Sequence, residues 1–285
     1  MTTTTTMDQT RATQVARLRI EHTRLYGTTS DAWFEYVSRR NWDEAMPRFR
    51  LLELIRYGAR AGQARILEVG AGCGTFVSHA LSEGYDCWGF EPDLWKIELF
   101  RERIRTLHHP DPWTDRLVSG AAEALPYPDG TFDYVTSAQF LEHVHDPEQA
   151  LREMVRVTRV GGGIGLRCPD YRSTFEPHYQ LPWIPLFPRP LANAYLRMLA
   201  RPVLGLAMLR YVTRPRILGW LRQIERDGRC RLVVTDDNRV TFENALRRRR
   251  LPGESWGFPI WRTAQYLAAL GRRETGINLF IRVAQ

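Results

Sequence analysis

The sequence predicts an α/β fold, doubly wound around a mostly parallel sheet, and three observations carry that expectation. The apolar run Ile66-Leu67-Glu68-Val69 leads directly into glycines at every second position, Gly70, Gly72 and Gly74. That is a buried strand ending in a sharp turn. A second apolar run ends in an acid, Glu91, 17 residues beyond Gly74, about what one helix and one strand require. Strand and helix patterns then alternate from Arg65 to Cys168, which implies parallel strands joined by helical crossovers.

The elements follow in order. Residues 1–12 are threonine-rich and read as a disordered tail. Residues 13–60 read as an N-terminal helical cap of three helices. The first runs from about Arg11 to Tyr26, with Val15, Leu18, Ile20 and Leu25 as its apolar positions. Ser30-Asp31 opens the second, which carries Trp33, Phe34 and Val37. The third runs from about Pro47 to Tyr57. Residues 61–168 form the core. Thr75 to about Ser82 is its first crossover helix, ended by Gly84, and Asp93 is placed to cap the next. Phe132 to Ser137 is the fourth strand. Asp146-Pro147-Glu148-Gln149 opens a helix, with Asp146 as N-cap and Pro147 in the first turn. Gly161-Gly162-Gly163 is expected to end that helix before a fifth strand, Ile164 to Cys168.

Beyond Pro169 the alternation breaks. Residues 169–228 are rich in proline and aromatics and contain a helical stretch from about Leu191 to Tyr211. An insertion there lies over the carboxyl edge of the sheet, where ligands bind in such folds, so it reads as a substrate-covering lid. Residues 229–285 complete the sheet: a strand from Arg229 to Thr235, helices from Phe242 to Arg250 and from Arg262 to Leu270, and a last strand from Ile277 to Val283. The run Arg247 to Arg250 suits either a phosphate or a solvated face.

Composition sets further bounds. The chain has 285 residues and a formal charge of +8, nearly all from arginine, Lys96 being its single lysine. The charge permits an anionic partner but does not require one. No apolar run is long enough to span a membrane, and Met1 to Thr6 lacks a secretory core. Cys73, Cys87, Cys168 and Cys230 form no close pair, which fits a reducing cytoplasm. His108 and His109 lack acids or cysteines at ligand spacing, so no metal site is expected.

Glycine spacing separates two cofactor classes. A nicotinamide turn wants G-x-G-x-x-G, and here the third glycine comes one place early, with Glu68 two places before the first. The pattern Glu68-Val69-Gly70-Ala71-Gly72-Cys73-Gly74 resembles motif I of the class I S-adenosylmethionine-dependent methyltransferases. The block from Gly120 to Asp133 resembles the G-D-A-E-x-L-P-F-x-D-x-x-F-D pattern of one subgroup, with Ala121 where the acid that receives the adenine amino group usually stands. The resemblance covers Arg65 to Cys168. It implies a Rossmann-like, seven-stranded sheet with an antiparallel last strand. It also implies S-adenosylmethionine held along Glu68, Gly70, Ala71, Gly72 and Gly74, at Glu91 and Pro92, at Ala122 and Glu123, and at Gln139.

The expected activity is methylation of a hydroxyl on a small molecule, sugar or lipid-linked glycan precursor. His143, after the fourth strand, and His178, in the lid, are the candidate general bases, with His145 a third histidine in the same loop. The lid resembles, more loosely, those of methyltransferases acting on sugars. Its basic, aromatic segment around Trp183 and Phe187 also suits a membrane surface. Two rivals stand beside this reading: a scaffold that keeps the fold without turnover, and RNA methylation. Against the latter, Ser137-Ala138-Gln139-Phe140 stands where an N-P-P-Y-type tetrad would be, and no RNA-binding module is evident. The oligomeric state is not encoded in any motif.

Overall fold

A computed structural model describes residues 2–27, 31, 34, 45–228, 230–236 and 276–285. The expected positions Trp33 and Val37 and the expected helices over 242–250 and 262–270 lie outside the described residues. The elements are α1 (Thr2–Tyr26), α2 (Ala45–Arg56), β1 (Arg65–Val69), α3 (Thr75–Ser82), β2 (Asp86–Phe90) and α4 (Leu94–Thr106). A 3-10 turn (Asp111–Asp115) precedes β3 (Leu117–Val118), β4 (Phe132–Ala138), α5 (Pro147–Val157) and β5 (Thr158–Pro169). Then come β6 (Phe175–Glu176), β7 (Leu181–Pro182), α6 (Arg189–Met198), α7 (Leu204–Met208), α8 (Arg214–Asp227), β8 (Arg231–Asp236) and β9 (Gly276–Ala284).

The seven-stranded sheet runs β3-β2-β1-β4-β5-β9-β8. Strands β1 to β5 pair in parallel, while β9 is antiparallel to both β5 and β8. The order reverses between β1 and β4, and at such a switch point the strand ends diverge and leave a crevice.

Alternation along β1 splits the core. Leu67 and Val69 join Leu151, Met154, Ile217 and Leu221 on one face, while Ile66 joins Leu54, Phe76, Phe100 and Ile104 on the other. Each such side chain contributes about 1.5–3 kcal/mol on burial. Glu68 shares the face of Ile66, so a carboxylate is carried into the core beside the turn.

Four local expectations are corrected. Residues 2–12 are part of α1 rather than a disordered tail. Among the described side chains of α1, Gln14, His22 and Tyr26 are buried, Val15, Leu18 and Leu25 are half-buried, and Ile20 is 63% exposed. The glycines 161–163 lie inside β5 rather than ending α5. A Cβ on Gly162 would stand 2.3 Å from Asp133 O, so the strands approach there more closely than any side chain allows. The stretch 191–211 is two helices, because the chain turns at Ala200 (φ +52) ahead of Pro202. Finally, Asp93 precedes α4 without capping it and pairs with Lys96 at 2.8 Å instead.

Between β5 and α8 the chain builds a small core of its own from Tyr171, Tyr179, Trp183, Phe187, Leu196 and Leu206, joined by Tyr26 of α1. Tyr179 centres it: its hydroxyl accepts Leu206 N–H at 2.9 Å and donates to Pro202 O at 2.8 Å. Trp183 and Phe187 are buried in this core. Exposed apolar residues of this segment include Phe175, Ile184, Leu191, Met198 and Met208. No helix among the described residues is long and apolar enough to cross a membrane.

Candidate active site

The turn after β1 is built as its glycines require. Gly70 adopts φ +79, and a Cβ there would stand 2.2 Å from the Phe140 ring. Gly72 (φ +56) and Gly74 (φ +67) also adopt left-handed backbone, Gly74 as the N-cap of α3. Gly70 and Ala71 donate to Phe90 O at 2.8 and 2.9 Å, which ties the turn to the end of β2.

Glu91, 2% exposed, faces that turn. Its Oε2 accepts Gly72 N–H at 2.8 Å, and its Oε1 takes Asp93 N–H at 3.2 Å and Lys96 Nζ at 3.0 Å. A carboxylate has about four lone-pair directions, so capacity for a further hydroxyl donor remains. Pro92 is exposed beside it. Glu68 is held by a side chain of the protein itself. Arg50 of α2 binds its Oε1 at 2.5 Å and reaches Thr136 Oγ1 at 3.1 Å. Burial pushes the Glu68 carboxyl up, and the Arg50 charge opposes this. Its Oε2 is buried without a partner among the described residues.

Of the remaining predicted contacts, Ala122 is buried, while Glu123 is used structurally. Its Oε1 accepts Asp146 N–H at 2.9 Å, and its backbone oxygen receives Gln149 Nε2 at 3.3 Å. Asp146 caps α5 as expected, accepting Glu148 and Gln149 N–H at 3.1 Å. Glu123 rather than Gln149 supplies the reciprocal acceptor. Gln139 is exposed at φ +55, the strained residue that turns Phe140 back over Gly70.

The two predicted histidines meet. His143 Nε2 and His178 Nε2 are 3.2 Å apart, although one follows β4 and the other follows β6. His178 Nδ1 lies 2.7 Å from Glu176 Oε1, and the other Glu176 oxygen accepts Tyr179 N–H at 2.6 Å. Buried Tyr179 thus anchors the turn that aims His178. Tyr26 stacks on His178 at 5.4 Å, and His22 Nε2 is 3.1 Å from His178 O. Glu142, fully buried, points Oε1 to within 3.7 Å of His143 Nε2 and 4.0 Å of His178 Nε2. Neither of its oxygens has a hydrogen-bond partner among the described residues.

Burial pushes the Glu142 carboxyl up to about 7, only partly opposed by His178. Burial alone would lower His178, but Glu176 and Glu142 outweigh it and raise it. His143 is lowered, first by loss of water on its packed side, then by the charges of His178 and Lys96. Phe140, two residues before Glu142, packs directly over Gly70 of the glycine turn, so the two halves of the site adjoin. His145 is exposed, and its backbone oxygen accepts from Arg210.

Sequence reasoning missed Glu142, Glu176, Tyr26, Lys96 and Arg50. The first two were in view, each within two residues of a candidate histidine. The other three reach the site only through tertiary packing. A concavity of about 730 Å3 at the amino ends of the strands, lined by Arg65, Asp86, Trp113 and Arg116, is a different place. There Asp86 is already held by Arg65 and Arg116.

A glycine turn closed by a carboxylate at the second strand, in this strand order, is matched by a known family. Residues 67–165 fit its model, described as a methyltransferase domain. Over that span the chain is similar to a methyltransferase domain. A demethylmenaquinone methyltransferase of Renibacterium salmoninarum is 36% identical over 115 residues, 40% of this chain and 45% of that protein. An uncharacterized methyltransferase of Schizosaccharomyces pombe is 38% identical over 115 residues, 38% and 41% of the two chains. The chain thus spans about half the length of the curated relatives it matches. Among solved structures, geranyl diphosphate methyltransferase in complex with SAM is similar over 91% of this chain and 93% of that one, with 16% identity and a TM-score of 0.51. The [4+2]-cyclase SpnF is similar over 86% and 84%, with 19% identity and the same TM-score. These two share the fold of the methyltransferase domain, and the second shows that the fold also hosts other chemistry.

Proposed function

We propose that the protein binds S-adenosylmethionine and transfers its methyl group to a hydroxyl of a small molecule, sugar or lipid-linked glycan precursor. The observation that carries this reading is the adjacency of the Glu91-closed turn to the Glu142, His143 and His178 cluster. One subsite suits a nucleoside with a charged tail, and the next suits a polar acceptor.

The residues present fit that cofactor. Glu91 has about one lone-pair direction left, on Oε2, for a ribose hydroxyl, the glycine turn admits close approach, and the buried Glu68 Oε2 lacks a partner among the described residues. The place of the missing acid at Ala121 falls to the backbone beside Ala122. When bound, the cofactor supplies a methyl group on a positively charged sulfur that leaves as a neutral thioether.

The chain's own part is to orient and to exclude water. The segment between β5 and α8 acts as the lid, and its Tyr179 core fixes the distance between His178 and the loop after β4. The cluster receives the acceptor oxygen and eases loss of its proton as the bond to carbon forms. The family match ends at residue 165, before His178, so the acceptor in the relative's name does not extend to this lid.

Formation of S-adenosylhomocysteine with a panel of sugar, phenol and polyprenyl-linked acceptors tests the reading. Acceptor-dependent turnover that falls at least 100-fold in His143→Ala and His178→Ala, with cofactor affinity kept, is the expected outcome. Full turnover in the double variant removes the cluster from the chemistry.

A further inference from the structure

We propose that Glu142, His143 and His178 form a binding site for one divalent first-row transition cation, of the zinc or iron type. Three ligand atoms, Glu142 Oε1, His143 Nε2 and His178 Nε2, define a triangle with sides of 3.2, 3.7 and 4.0 Å. A triangle of that shape encloses a point about 2.1 Å from every vertex, the bond length that nitrogen and carboxylate oxygen make to such ions.

Independent features point the same way. Glu142 is a fully buried carboxylate aimed into the triangle, and both its oxygens lack hydrogen-bond partners among the described residues. A carboxylate is rarely kept in that state without a compensating charge. His178 offers its other ring nitrogen to Glu176 at 2.7 Å, the arrangement that fixes tautomer and ring direction in ligating histidines. His143 is 36% exposed, which leaves the cluster open on one side for an added ligand. Two imidazoles and one carboxylate with free positions suit transition ions and disfavour magnesium or calcium. Ligand spacing in the sequence hid the set, because His178 comes from a segment 35 residues beyond His143.

The role of the ion, though not the site, rests on the methyl-transfer reading. An acceptor hydroxyl taking a free position on the cation becomes more acidic. Its O–H bond breaks and the proton leaves to solvent. An oxygen lone pair then forms the O–C bond as the C–S bond breaks, with the C–S bonding pair retained by sulfur. The cation keeps its oxidation state throughout.

The test uses full-length, tag-free protein stripped with a chelator and titrated with Zn2+ by calorimetry, with S-adenosylmethionine titrated separately. One equivalent of Zn2+ is expected. Affinity should fall at least 10-fold in His143→Ala and Glu142→Gln, and about 10- to 100-fold in Glu176→Gln. His109→Ala, remote from the cluster, should bind as wild type does. His143 is partly exposed, so its variant keeps the test valid if the buried Glu142→Gln fails to fold. No Zn2+ uptake, or uptake equally tight in His143→Ala, overturns the site. Zn2+ uptake without cofactor binding supports the site and removes the methyl-transfer role. Cofactor binding without Zn2+ uptake overturns the site and leaves the imidazoles to act alone.

Discussion

Arg50 and Glu68 form a nearly buried ion pair directly behind the glycine turn. Removing one member strands the other, which costs about 3–5 kcal/mol in buried pairs. Arg50→Ala should therefore lower stability by about 3 kcal/mol, read by urea unfolding, and Arg50→Met with Glu68→Gln should recover much of the loss. A loss no larger than that of an exposed arginine such as Arg226 would mean that the pair is not closed. Glu68 stood out in the sequence because it preceded the turn, but its partner did not. Nothing in the helix at residues 45–56 marks Arg50 as the residue that reaches across to β1. Glu91 was legible in position, since a strand end fixes where its side chain must point.

The crossover helix α5 was the most readable element, with its cap, its proline and its buried stripe all in sequence register. Asp146→Ala should cost about 1 kcal/mol. At the other end, Glu153 accepts Leu125 N–H at 2.8 Å and binds Arg156 at 2.7 Å. The Arg156 hydrogen bonds, opposed by burial, hold the Glu153 carboxyl below its ordinary value. A lowered folded value means stability that is fully present above the unfolded value of about 4.3 and is lost as the pH falls through the folded one. Glu153→Gln should thus be less stable than wild type at pH 7, and the gap should close as melts are repeated towards pH 3. A gap independent of pH would assign the loss to packing. The segment between β5 and α8 was the least readable, because its helices break at Ala200 and its core is organised by one tyrosine hydroxyl. Tyr179→Phe removes two hydrogen bonds and should cost about 1–3 kcal/mol. It should also lower turnover by loosening His178, whereas unchanged turnover would detach His178 from that anchor.

Across the molecule, the parallel direction of β1 to β5 followed from the strand–helix alternation, since parallel strands need crossovers, whereas the antiparallel last strand was implied only by the family resemblance. What the pattern does not carry is convergence. His143 and His178 were each singled out, yet their meeting depends on the path of the chain after β5 and on α1 closing beside it through Tyr26. Glu142 became a site residue only once the fold had taken water and partners away from it. The central claim concerns the cofactor half of this arrangement, and calorimetric titration of S-adenosylmethionine into wild type and Glu91→Ala tests it most directly. Saturable one-to-one binding that weakens at least 10-fold in the variant, about 1.4 kcal/mol or more, is the expected result. No binding of S-adenosylmethionine, with saturable binding of a nicotinamide dinucleotide in its place, would contradict it.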